Sequence, residues 1–143
     1  MGPEFEISTD PARLDIATMH CFLRESYWAE GRPRTVVERS IENSLCFGVY
    51  LEGRQVAFAR VVSDRAVFAY LMDVFVVPEF QGRGISKALM RAVLDHPELQ
   101  GLRMFLLGTR DAHGLYEQFG FEPLAYPDRW MAIQNPNSDR SAS

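Results

Sequence analysis

The sequence predicts an α/β domain built on one mixed, mostly antiparallel sheet flanked by helices, and three observations carry that prediction. From Cys46 to Val77, apolar and β-branched residues recur at strand period. Turns at Glu52-Gly53-Arg54 and Ser63-Asp64-Arg65 divide the run, which reads as three antiparallel strands over residues 46–51, 55–62 and 66–77. After Pro78 and Gln81-Gly82-Arg83-Gly84 the period lengthens: Ile85, Ala88, Leu89, Ala92 and Val93 share one face of a helix reaching about Leu94. Residues 103–107 then return as a short apolar strand. The helix before it makes a crossover, so this strand lies parallel to the one that enters the glycine turn.

The remaining elements follow from local chemistry. A short strand over 5–7 precedes Asp10, an N-cap, and Pro11, which loses nothing at a first helical position because its missing N–H had no partner there. That helix runs to about Leu23 with Leu14, Ala17 and Cys21 along one side, and Ile16, Met19 and Leu23 broaden the apolar surface. His20 has no partner at ligand spacing. A second helix over 35–44 turns Val37 and Ile41 inward. His96 sits where the residues 85–94 helix ends and the helix dipole favours it; a short helix over 112–118 ends at Gly120. Residues 121–124 and 129–133 read as two last strands separated by Ala125-Tyr126-Pro127-Asp128. Residues 1–133 form one domain, and the polar stretch 134–143 has disorder as its default.

Composition narrows the function. The 143 residues are enough for one core without staples, and fifteen basic against nineteen acidic residues, net charge -4, count against nucleic-acid binding. No apolar stretch is long enough to cross a bilayer and no signal peptide is evident, so the expectation is a cytoplasmic protein without a membrane partner. Cys21 and Cys46 stand apart in apolar contexts and read as reduced core or near-core thiols. No residue cluster suggests a metal.

The glycine turn carries the first chemical signal. A helix start has amides without intrahelical acceptors and a partial positive charge, so a phosphate suits it. Gly82 and Gly84 let the chain turn with nothing projecting into the anion's space, and Arg83 either adds a charged clamp or lies on the surface. There is no G-K-[ST], and Gly82-Arg83-Gly84-Ile85-Ser86-Lys87 lacks the third glycine of a dinucleotide fingerprint. The ordinary alternative is a turn whose glycines only relieve strain.

Gln81-Gly82-Arg83-Gly84-Ile85-Ser86 resembles the acyl-CoA pyrophosphate loop of the GNAT superfamily of N-acetyltransferases, written Q/R-x-x-G-x-G/A. Asp73-Val74-Phe75-Val76-Val77-Pro78-Glu79 resembles that family's fourth strand, and Leu115-Tyr116-Glu117-Gln118-Phe119-Gly120-Phe121 its second signature. The likeness covers Cys46 to about Ile133. It implies a GNAT-like sheet whose parallel strands splay at the cofactor site, with acetyl-CoA as cofactor. Backbone around Phe75, Val76 and Val77 would hold the pantetheine arm, and the amides of Gly82 to Ser86 the pyrophosphate. It also leaves a homodimer open. Ser86 stands where glycine or alanine is usual, and Thr109 where relatives often carry asparagine.

The implied reaction is attack of a primary amine, of a small molecule or an exposed protein amine, on the thioester within a complex holding both substrates. Tyr116 is the candidate general acid for the departing thiolate, or else it only borders the packing of Leu115, Phe119 and Phe121. Asp73, a carboxylate in an apolar strand, is either the base or held by a neighbouring loop or by Arg129. Alternation puts Asp73, Phe75 and Val77 on one face and Met72, Val74 and Val76 on the other. Glu25 and Glu30 are alternative bases, and His113 is more readily a surface residue. Tyr27 and Trp28 plug the core edge or, with Glu30, wall the acceptor site. Trp130, with Tyr126 and Asp128, completes that pocket or serves as a core or dimer-interface residue. A noncatalytic acyl-CoA-binding module is the competing function, and a nucleotide kinase or dehydrogenase the more distant one.

Overall fold

The computed structural model of the chain describes residues 5–26 and 29–135. Its elements are β1 (Glu6–Ser8), α1 (Ile16–Arg24), α2 (Arg34–Glu42), β2 (Leu45–Leu51), β3 (Arg54–Ser63), β4 (Phe68–Val76), α3 (Ile85–Asp95), β5 (Met104–Leu107) and α4 (His113–Glu117). The five strands form one sheet in chain order. They are antiparallel from β1 to β4 and parallel between β4 and β5, so the mixed, mostly antiparallel α/β architecture is the expected one.

Each face of the sheet has its own cover. On one, α3 buries Ile85, Leu89, Met90 and Val93 against Val49, Val61 and Leu71. On the other, Met19 and Leu23 of α1 and Val37 and Ile41 of α2 pack on Cys46, Phe58 and Phe75. Leu89 and Val93 are wholly removed from solvent, and burial of such a side chain stabilises the fold by roughly 1.5–3 kcal/mol. Covering on both faces explains why β2 and β3 carry nearly unbroken runs of buried residues in place of a strict alternation.

The first helix does not run unbroken from Pro11. Asp10 caps only a 3-10 turn, Pro11–Arg13, and α1 starts afresh after Asp15, whose Oδ1 accepts from the Thr18 N–H at 3.1 Å. The interruption has a cause: the Asp15 N–H donates to Gln55 Oε1 at 2.7 Å, which takes it out of helical register. The inward stripe is Met19 and Leu23, while Ala17 and Cys21 are exposed, so Cys21 is not the near-core thiol expected. His20 is a half-buried helix residue, its Nε2 lying 2.9 Å from the carbonyl of Arg32.

The two last strands are corrected as well. Neither 121–124 nor 129–133 joins the sheet, which ends at β5; the chain makes a 3-10 turn at Pro127–Arg129 and stays exposed. A strand exists only where its backbone finds a partner, and Pro123 and Pro127 also remove donors. Residues 1–4, 27–28 and 136–143 lie outside the described residues, among them most of the expected disordered tail. Among the described residues no helix is long and apolar enough to cross a membrane.

Leu89→Ala should lower unfolding free energy by about 2–5 kcal/mol, because it opens a cavity where α3 meets the sheet. Urea denaturation followed by circular dichroism checks this; a loss under 1 kcal/mol would mean that α3 is not the main cover of that face.

Candidate active site

Strand β4 changes partners along its length. Its pairing with β5 stops at Leu71 opposite Leu107, while its pairing with β3 continues to Val76 opposite Ala57. From Met72 onward the outer edge of β4 therefore faces open space. Val77 is outside that edge's supply of donors, since its N–H bonds the Val56 carbonyl at 2.8 Å. Successive amides of a strand point to opposite edges, so the Val76 N–H turns toward the opening.

A bulge sits at the point of divergence. Phe58 pairs with Phe75 and Arg60 with Met72, so Ala59 of β3 faces two residues, Asp73 and Val74. Asp73 takes a left-handed φ of 55°, a conformation that aspartate tolerates better than most residues. The extra residue resets the side-chain alternation. Ala69 and Leu71 belong to the α3 layer, whereas Phe75 and Val77 belong to the α1/α2 layer. Met72 meets Arg60, whose Nη2 lies 3.3 Å from its sulfur, rather than keeping company with Val74 and Val76.

Two arginines converge on Asp73. Arg60 Nε and Arg32 Nη1 donate to the same Oδ2 at 2.8 and 3.0 Å, and the aspartate side chain is only 1% exposed. Arg60 also donates to Ser44 Oγ at 3.0 Å. Arg129 is not the expected partner: its guanidinium stacks over Tyr126, 3.8 Å from the ring centre. Arg32 was not singled out in the sequence and has no signal there beyond a Gly-Arg-Pro loop. Arg60 does: a cation in the middle of an apolar strand calls for the same explanation as Asp73 one strand away.

The turn into α3 leaves its backbone open. Gly82 and Gly84 have φ of 79° and 80°, and apart from the adjoining residues of the chain no heavy atom lies within 4 Å of where a Cβ would stand on either. Gly84 precedes α3 without a side-chain cap, and the first helical bond there is Ala88 N–H to the Gly84 carbonyl at 3.1 Å. The Ile85, Ser86 and Lys87 amides thus have no acceptor within the helix. The Ile85 side chain is buried, so only its amide is offered. Gln81 Nε2 donates to the Val76 carbonyl at 3.1 Å, tying the turn to the end of β4. Arg83 is exposed, its guanidinium 5.2 Å from the centre of the Phe80 ring.

Two cavities meet here. One, of about 570 Å³, is lined by Phe75, Val76, Gln81 and Ser86 and by Glu25 from the far side. The other, of about 430 Å³, is lined by Arg32, Met72, Asp73, Thr109 and Arg110. Val74, Arg110, Asp111, Ala112 and Tyr116 line both. Tyr116 is buried, with its ring edge-on to Phe121, centres 6.0 Å apart. Thr109 is used locally, its Oγ1 accepting from the Ala112 N–H at 3.1 Å. Glu30 is exposed and lines neither cavity, nor does Trp130, which is 43% exposed. Tyr27 and Trp28 lie outside the described residues. His113 is exposed on α4, and His96 caps the Pro97–Leu99 turn, its Nδ1 accepting from the Glu98 N–H at 3.1 Å.

The architecture, a parallel pair opening beside an uncapped helix start, is that of the GNAT acetyltransferases. The Acetyltransferase (GNAT) family matches residues 14–121, and the chain belongs to that family. Membership brings the family's reaction in its general form, acyl transfer from acetyl-CoA to an amine. A Xanthomonas campestris pv. campestris protein assigned to the same family, solved as a crystal structure, is 53% identical with a TM-score of 0.94, over 97% of this chain and 99% of its own. The ribosomal protein bS18-alanine N-acetyltransferase of Escherichia coli K12 is 31% identical, covering 66% of this chain and 64% of that protein. An acetyltransferase-fold protein of Clostridium acetobutylicum, solved with acetyl-CoA, has a TM-score of 0.65 at 12% identity over 92% of this chain and 95% of its own, a likeness of fold alone.

Asp73→Ala should cost about 3–5 kcal/mol of stability, because Arg32 and Arg60 keep their buried charges without the carboxylate. Chemical denaturation measures it, and a loss below 1 kcal/mol would show the cluster to be dispensable. The two cysteines should separate cleanly. Burial pushes the Cys46 thiol up to about 11, so it stays protonated at pH 8, whereas Cys21 is exposed. Mass spectrometry after iodoacetamide treatment of the native protein should find the label on Cys21 and not on Cys46.

Proposed function

We propose that the protein transfers the acetyl group of acetyl-CoA to a primary amine of a small molecule or an exposed protein amine, by direct attack while both substrates are bound. The position of Tyr116 in the lining of both cavities is the observation that carries this reading. The cavity beside Gln81 and Ser86 takes the coenzyme, with pyrophosphate on the amides of Gly82 to Ser86 and the pantetheine arm along Phe75 and Val76. The cavity beside Arg32 and Asp73 takes the acceptor.

The amine nitrogen attacks the thioester carbonyl carbon, and a C–N bond forms. Negative charge gathers on the carbonyl oxygen, where the Val76 N–H donates; a preorganised donor of this kind is worth roughly 3–4 kcal/mol in the transition state. The C–S bond then breaks with its electron pair on sulfur, and the Tyr116 hydroxyl supplies the proton that makes free CoA. The amine's own proton leaves to water in the open acceptor cavity. Asp73 serves this scheme as a positioning residue. Its Oδ2 already accepts from two guanidinium groups, and its work is to hold the bulge and Arg32 in place.

The same reading includes a cytoplasmic location, consistent with one exposed and one buried free thiol, and a homodimer, which the outer edge of β5, unpaired among the described residues, supports.

Tyr116→Phe should retain acetyl-CoA binding by calorimetry yet lose about 10²-fold or more in kcat, read by thiol release with an amine panel. Unchanged turnover would remove Tyr116 as the acid. Asp73→Asn should lower thermal stability while the acidic limb of the pH–rate profile keeps its midpoint. Disappearance of that limb would return Asp73 to the role of base.

A further inference from the structure

The acceptor cavity has a charge of its own. Arg32 and Asp73 both line it, and Arg60 meets Asp73 without lining it. These three side chains are at least nine-tenths buried, and two guanidinium groups share one carboxylate oxygen, so the cluster carries a positive charge in excess. Arg110 and Asp111 also line the cavity, but they are exposed, lie 3.9 Å apart and cancel at its rim. Among the described residues no other charged side chain lines it. Glu25 belongs to the coenzyme cavity alone, and Glu30 to neither.

The excess reaches the cavity through Arg32, and the backbone fixes where that residue stands. The Arg32 N–H donates to the Ala29 carbonyl at 3.0 Å, its own carbonyl lies 2.9 Å from His20 Nε2, and Pro33 at the next position leads into α2. A buried guanidinium placed in this way suits a planar anion, because its donors lie in one plane and little freedom is left to lose. The rest of the lining includes Leu71, Met72, Val74 and Leu107, apolar surface that fits a carbon skeleton.

We infer that the acceptor is a small amine that also carries a carboxylate, an amino acid in the general sense, with the carboxylate at Arg32 and the amine toward Tyr116. This rests on the acyl transfer proposed above and names its substrate class. A carboxylate supplies the single negative charge that the cluster lacks, whereas a phosphate monoester would bring about two. The same positive excess disfavours the ammonium form of the acceptor and favours the neutral, nucleophilic amine. The amine can therefore lose its proton to water even though Asp73 is engaged with two arginines. A lysine side chain of a folded protein brings no such anion, and a polypeptide N-terminus has an amide where this acceptor has its carboxylate. The C–N bond forms and the C–S bond breaks as before, and the products are an N-acetylated amino acid and free CoA.

The test measures thiol release by the full chain at saturating acetyl-CoA with matched amines: the common amino acids, the amides of the same amino acids, aminoalkyl phosphates, and short peptides with a free N-terminus or a lysine. At least one amino acid is expected to exceed its own amide by about 10²-fold in kcat/KM, with phosphates and peptides behind it. Arg32→Gln is expected to bring acid and amide to the same value while calorimetry still finds acetyl-CoA bound, since Arg32 does not line the coenzyme cavity. Arg32→Lys keeps the charge and is expected to keep part of the preference, the loss falling on KM more than on kcat. Amides or peptides turned over as well as the amino acids would overturn the carboxylate and leave the transferase reading standing, and so would a phosphate that outruns them all. A preference that Arg32→Gln leaves intact would overturn Arg32 as its seat. Acetyl-CoA binding with no amine of the panel acetylated would overturn the transferase reading itself and this inference with it. Should Arg32→Gln fail to fold, the comparison of acids with amides and Arg32→Lys decide.

Discussion

One carboxylate oxygen holds the site together. Asp73 Oδ2 receives Arg60 from the adjoining strand and Arg32 from the loop that follows α1, so a single buried atom joins β4, β3 and the helical layer. Removal of three charges from water is costly, and the cluster is held further by the Arg60 guanidinium donating to Ser44 as well. What this arrangement stabilises is local: a left-handed residue inside a strand, which costs of order 1–3 kcal/mol and which surrounding contacts must impose. Without the bulge, β4 would keep one alternation throughout, and Phe75 would not stand in the same layer as Phe58, where α1 covers it.

The bulge and the splay are linked. Parallel pairing of β4 with β5 ends two residues before Asp73, and beyond it the strand bends with β3 alone. A bulge increases local twist, so the two strands diverge and leave backbone groups free on the concave side. In the proposed reaction those groups meet an amide-bearing cofactor, which takes the place of a neighbouring strand. The chemistry then needs little from side chains beyond one phenol, because positioning and main-chain dipoles do most of the work.

Sequence periodicity revealed the parts of the fold governed by pairing and amphipathicity. The hairpin strands, the glycine turn and α3 came within a residue or two, since each depends on neighbours in the chain. The bulge at Asp73 did not show, because its cause lies forty-one residues away in Arg32 and thirteen away in Arg60. The salt-bridge alternative for Asp73 named a plausible cation but the wrong one. Arg60 was within reach of the same logic, for opposite charges inside two adjoining apolar strands tend to find each other. The break before α1 was hidden for a related reason: Gln55 captures the Asp15 amide from forty residues away. The expected terminal strands had the right pattern and no strand partner among the described residues, a failure that pattern alone cannot register.

The hydrogen bond from Gln81 to the Val76 carbonyl works as a ruler. It spans the chain between the end of β4 and the start of α3, and so fixes the separation between the place where a thioester would lie and the place where phosphates would lie. Pro78 and the 3-10 turn it begins stiffen the same stretch. An insertion or deletion of one residue between Val77 and Gly84 would therefore alter a length rather than a contact, and the two ends of a cofactor of fixed reach would no longer be received together.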